Sequence, residues 1–144
     1  MSHLSFKSLV LAAAISFVTA TVSHAADIYP ADLAKQDANI ARAFSDLAGK
    51  LKKKHAWVRK FGVTTPTEDI TVGSTSYVRL SGCKPHDCPS EKYVVFISKS
   101  DYKAVGAFVV NRLDNGANPT RSDIYWLRQP DTEQMAVLAS SLFQ

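Results

Sequence analysis

This chain of 144 residues lacks the residue patterns that usually announce an enzyme. It has no Gly-x-Gly-x-x-Gly run and no phosphate-loop signature, so a nucleotide cradle built from glycine backbone is not encoded. It has no Gly-x-Ser-x-Gly elbow and no histidine pair at helical metal-ligand spacing, which leaves the common serine hydrolase and metalloprotease arrangements without their key groups. Histidine is scarce, and past Ala25 there are only His55 and His86. A histidine-dependent triad would have to use His86 with a distant partner, and no pattern supplies one. Cysteine is scarcer still, with Cys83 and Cys88 alone. No apolar run reaches the about 20 residues that a comfortable membrane span requires. Internal repeats and low-complexity stretches are missing as well.

What is present begins with a leader. Residues Met1 to Ala25 carry one positive charge at Lys7, continue through an apolar stretch from Leu9 to Val22, and end in Ser-His-Ala, a small-x-small cleavage signal. This reads as a secretory signal peptide cleaved after Ala25, leaving residues 26–144 as a soluble, exported protein. A mature chain of that length suits a single domain, since domains cluster at about 100 to 150 residues. Without Lys7 the net charge of +4 falls to +3, too little to argue for nucleic acid as a partner. The basic run Gly49 to Lys60, GKLKKKHAWVRK, is expected to be a solvated helix end, because cations suit the last turn of a helix. His55 is expected to be a polar position within it.

The coarse layout is helix, then strands, then helix. Leu33, Ile40, Phe44, Leu47 and Leu51 recur at spacings that place them on one face of a helix from about Pro30 to Leu51, with Pro30 at the start, where proline is tolerated. The region of Gly62 and Pro66 predicts a loop, preceded by at most a short helical turn. Five β-rich runs follow, near Ile70–Val72, Tyr77–Leu80, Tyr93–Ser98, Ala104–Val110 and Ile124–Leu127, separated by turn residues. Five strands in series with mostly short connections read as an antiparallel meander, since parallel strands need crossovers of a dozen or more residues. The class is therefore α+β: a central antiparallel sheet of about five strands flanked by terminal helices. The run Tyr93–Ile97 is apolar at every position and predicts a central strand covered on both faces. The last segment opens at Pro130-Asp131 and predicts a terminal helix capped by Asp131.

The unusual residues gather in one place, Cys83-Lys84-Pro85-His86-Asp87-Cys88. Three chemistries compete for it. A redox pair is one, although thioredoxin-like exchange uses two residues between the cysteines and a βαβ context. A metal site is another, since Cys83, His86, Asp87 and Cys88 all bear ligand atoms, yet structural zinc wants four ligands in a tetrahedron and so short a loop wraps them poorly. The third is a disulfide, favoured by an oxidising compartment. A ring of six residues adds on the order of 2 kcal/mol to a fold. Used as a binding loop it does more, because ordering a free backbone costs about 1 to 2 kcal/mol per residue, roughly 4 to 8 kcal/mol for four residues. A bridge that merely tidies a turn remains open, but it leaves the Lys, His and Asp at the apex unexplained.

These residues also carry a resemblance. Ala56-Trp57-Val58, Thr65-Pro66, Ile70-Thr71-Val72-Gly73, Tyr77 and the complete CKPHDC, followed in order by Ser98-Lys99-Ser100, Gly106-Ala107-Phe108 and Trp126-Leu127, resemble the inhibitor of vertebrate lysozyme (Ivy) family. The resemblance implies a periplasmic, non-enzymatic inhibitor of c-type lysozyme with a disulfide between Cys83 and Cys88, no metal and no cofactor. It implies that the protruding ring, with Lys84, Pro85, His86 and Asp87 as binding residues, enters the cleft of lysozyme, where His86 meets the catalytic carboxylates. Pro85 is expected to stiffen the ring, Asp87 to fix His86 or contact the enzyme, and Lys84 to reach the cleft rim. Gly82 and Pro89 depart from the residues usual beside the ring. Against a basic lysozyme a partner at +3 has no long-range attraction, so Asp87 and Glu91 are expected to supply local steering. The resemblance also admits the cell's own lytic transglycosylases as targets, or a non-inhibitory periplasmic binding role. Homodimer and monomer are both compatible with it.

Overall fold

The computed structural model describes residues 26–144. The leader expected at residues 1–25 lies outside them.

The chain begins with two short helices where one was expected, α1 (Pro30–Gln36) and α2 (Ala38–Ala48). The break is at Asp37, which adopts extended backbone and whose carboxylate accepts from the N–H groups of Asn39 (2.9 Å) and Ile40 (3.4 Å). An aspartate satisfies the free N–H groups of a helix start better than it serves an interior, so the chain restarts there. The apolar face predicted for this region survives the break, with Ile40, Phe44, Leu47 and Ala48 buried along α2.

A 3₁₀ segment, Lys53–Lys60, follows. Its lysines are exposed as expected, but His55 is 5% exposed, so its assignment as a polar position at a helix end is corrected. The 3₁₀ turn rotates His55 and Val58 inward together. The strands are β1 (Val63–Thr64), β2 (Glu68–Val72), β3 (Thr75–Cys83), β4 (Glu91–Ser98), β5 (Ala104–Leu113) and β6 (Pro119–Leu127), and α3 (Thr132–Leu142) closes the chain. Five correspond to the runs read from the sequence. β1 is an addition in the expected loop, a two-residue strand held by the far end of β3.

All pairings are antiparallel, in the order β1-β3-β4-β5-β6, with β2 also on β3. Alternation along β4 divides the core. Tyr93, Val95 and Ile97 face α2 and the 3₁₀ segment, while Val94 and Phe96 face α3. A strand buried on both faces cannot alternate apolar with polar residues, which is why Tyr93–Ile97 reads as an unbroken apolar run. The expected cap of α3 is present, with Asp131 and Gln134 exchanging hydrogen bonds of 2.8 and 2.9 Å. Among the described residues no helix is long and apolar enough to cross a membrane.

Candidate functional site

The connection from β3 to β4 is the cysteine ring, closed by a Cys83–Cys88 disulfide with the two Cα atoms 4.7 Å apart. Within it the Asp87 N–H donates to the Lys84 carbonyl at 3.0 Å, closing a four-residue turn. Pro85 takes the second position and His86 the third, with His86 at φ +63°. This is the pattern of a type II turn, whose third position ordinarily belongs to glycine or asparagine. A histidine held in left-handed backbone is sterically disfavoured. Pro85 and His86 are exposed, and His86 has no hydrogen-bond partner among the described residues.

Lys84 and Asp87 instead pair across the ring, with both side chains still partly exposed. Lys84 Nζ lies 3.2 Å from Asp87 Oδ2 and 3.6 Å from Glu91 Oε1. The hydrogen bond to Asp87 holds the Lys84 ammonium above its usual range. Asp87 thus pairs with Lys84 and not with His86, and Lys84 braces the loop from its partly exposed side. Glu91, at the first position of β4, is buried, so it cannot steer a partner as expected. Its Oε2 accepts from Trp57 Nε1 at 2.6 Å and from His55 Nδ1 at 3.0 Å. Burial pushes the Glu91 carboxyl up, but the bonds from Trp57 and His55 and the Lys84 charge outweigh it and leave it below its ordinary value. The Lys84 N–H also donates to the Glu91 carbonyl at 3.0 Å, so one residue ties the ring through both backbone and side chain.

A second anchor holds the exit of the ring. Asn111 of β5 donates from Nδ2 to the Pro89 carbonyl at 2.7 Å, its backbone N–H reaches the Ser90 carbonyl at 2.7 Å, and its Oδ1 accepts from Ser122 of β6 at 2.8 Å. Pro89 therefore serves as an acceptor, a use that needs no N–H. Gly82 also has a cause. A Cβ there would lie 2.6 Å from the Phe61 carbonyl oxygen and 2.8 Å from the Tyr93 ring, which crosses the strand at that point to donate to Phe61 at 3.0 Å. Reading by spacing missed His55, Trp57 and Asn111 as supports for the ring. The one available signal for Asn111 was a polar residue set into an apolar strand run.

The domain presents a covalently closed, internally braced turn from the end of its sheet. Residues 39–141 match the family described as "Inhibitor of vertebrate lysozyme (Ivy)", and the chain belongs to that family. Two relatives, from Escherichia coli strain K12 and Escherichia coli O157:H7, are each described as "Inhibitor of vertebrate lysozyme". Each is 34% identical over 103 residues, which covers 72% of this chain and 64% of the relative's own length. A Yersinia pestis protein described as uncharacterized is 34% identical over 117 residues, covering 78% of this chain and 75% of its own.

Proposed function

We propose that residues 26–144 form a single lysozyme-inhibitor domain, exported to the periplasm after removal of the leader, that blocks c-type lysozyme without catalysing a reaction. The observation that carries this reading is the exposed, unpartnered imidazole of His86, held in left-handed backbone at the apex of a braced ring. Glycine would fill that turn position without strain, so histidine there is explained by what its side chain does outside the protein. Lysozyme-type hydrolysis uses two carboxyl groups close together, one protonated and one ionised. An imidazole placed between them donates to the ionised carboxylate, more strongly when protonated, and fills the space of the sugar. Family membership and the names of the two Escherichia coli relatives support the same target.

The test is lysis of bacterial cell walls by a c-type lysozyme, titrated with the mature protein and with His86→Ala. Stoichiometric inhibition is expected from the first. The variant should lose about 2 to 4 kcal/mol of binding, the range for a central anchor, at unchanged thermal stability. Inhibition by both would remove His86 from the mechanism. No inhibition by either folded protein would redirect the ring to another wall-cleaving enzyme, with lytic transglycosylases the first to assay.

A further inference from the structure

Between the 3₁₀ segment and the end of β6 lies a cavity of about 210 Å³ that the inhibitor reading does not use. Its wall includes Phe108 and Tyr125, whose ring centroids are 6.3 Å apart, and Tyr125 is 48% exposed. Around it stand Lys50, Lys52, Lys54 and Arg128, and no acidic residue lines it. None of these four cations forms an ion pair among the described residues.

His55 also lines this cavity, and its chemistry is fixed from behind. Glu91 Oε2 is an ionised acceptor already bonded to Trp57, so His55 must present Nδ1–H to it. That leaves Nε2, which bonds to nothing among the described residues. No fully buried side-chain nitrogen or oxygen among the described residues lacks a partner, so Nε2 opens onto the cavity that His55 lines. The residue as a whole is 5% exposed. A histidine this buried, oriented by a carboxylate and with one nitrogen free, is a prepared hydrogen-bonding group.

We infer that this cavity binds a carboxylate carried on a single six-membered ring. The lysine and arginine side chains meet the carboxylate, the ring lies against Tyr125, and His55 Nε2, an acceptor while Nδ1 carries the proton, takes a hydrogen bond from a hydroxyl where the ring bears one. The volume lies below the about 300 to 1,000 Å³ typical of drug-sized ligands, which limits the occupant to one ring. Two sources share this chemistry, a sugar acid and an aromatic acid.

The experiment follows the ring nitrogens of His55 by NMR in the oxidised mature protein, titrated separately with glucuronate, benzoate, glucose and acetate at low salt. Saturable shifts of His55 are expected with at least one of the two ring carboxylates, at millimolar concentration. The larger response identifies the source as sugar acid or aromatic acid. Glucose lacks the charge and acetate the ring, so each should bind at least about fivefold more weakly. Tyr125→Ser and the double variant Lys52→Gln/Lys54→Gln change exposed side chains only and should each weaken binding about fivefold, with the rest of the spectrum unchanged. Absence of saturation with both ring carboxylates overturns the site. So does acetate matching them, or variants that bind as well as the parent. None of these outcomes bears on lysozyme inhibition, which the lysis assay reads separately.

Discussion

Replacing Glu91 by glutamine removes one charge and almost no volume from the point where the ring meets the core. The carboxylate accepts from Trp57 at 2.6 Å and His55 at 3.0 Å and faces Lys84 at 3.6 Å. Hydrogen bonds to a charged group contribute about 1.5 to 3 kcal/mol each. Breaking a buried pair by removing one partner costs about 3 to 5 kcal/mol. The amide oxygen can still accept weakly from Trp57, but the amide NH₂ then turns toward the Lys84 ammonium. The low end applies, about 3 kcal/mol of stability at pH 7 in urea unfolding of the oxidised domain. The sign of the pH dependence is fixed. The Glu91 carboxyl lies below its ordinary value of 4.5 in the folded protein, so its contribution is complete above that pH and is lost as the pH falls through the folded-state value. The gap between parent and Glu91→Gln should therefore narrow on acidification below about pH 4.5. Amide exchange at Lys84, whose N–H is held by the Glu91 carbonyl, should also quicken in the variant. A loss under about 1 kcal/mol, the range of an exposed ion pair, or a gap that widens in acid would refute the reasoning.

Three further outcomes follow from the same geometry. Asn111→Ala removes the bonds to the Pro89 carbonyl and from Ser122 and should cost about 1 to 3 kcal/mol, with backbone signals moving at Pro89–Ser90. Gly82→Ala places a methyl 2.6 Å from the Phe61 carbonyl oxygen and should lower the urea midpoint by the equivalent of about 1 to 3 kcal/mol, because neither that carbonyl nor the buried Tyr93 ring has room to yield. Reducing the Cys83–Cys88 bridge should cost about 2 kcal/mol without unfolding the domain, since it closes only a six-residue ring. The bridge would be a structural staple instead if far-ultraviolet circular dichroism collapsed on reduction.

Periodicity was enough for the five longer strands, because each carries its own pattern within a few residues, while the two-residue β1 is too short to show one. The apolar run Tyr93–Ile97 predicts a strand covered on both faces, and it is one. The same logic ran the first helix through Asp37. Leu33 and Ile40 share a helical spacing whether or not the chain breaks between them, and only the capping chemistry of Asp37 reveals the break. The ring was legible as a ring, while its supports were not. Glu91 lies 36 residues from His55 and 34 from Trp57 along the chain, so no local window contains that cluster. Burial reversed two expectations at once, making His55 part of the core and withdrawing Glu91 from the surface.

The bracing also narrows which ring residues are free to face a partner. Cys83 and Cys88 are spent on each other, and Lys84 and Asp87 are tied into a partly exposed pair. Lys84 is further held by Glu91, so drawing it out to meet a partner would break two ion pairs and leave a buried carboxylate short of its cation. Pro85 and His86 carry no such obligation. A tip only two residues wide offers a flat surface little area to bury, and a cleft offers it walls on both sides. The proposed target meets that requirement, since a glycosidase cleft sets its carboxylates at the bottom of a groove shaped for a sugar chain. The roughly 4 to 8 kcal/mol needed to order four loop residues is met largely during folding, through the disulfide, Glu91 and Asn111, before any partner arrives. On this reasoning a variant that frees Lys84 from Glu91 weakens binding through disorder of the ring, even though Lys84 itself need never touch the enzyme.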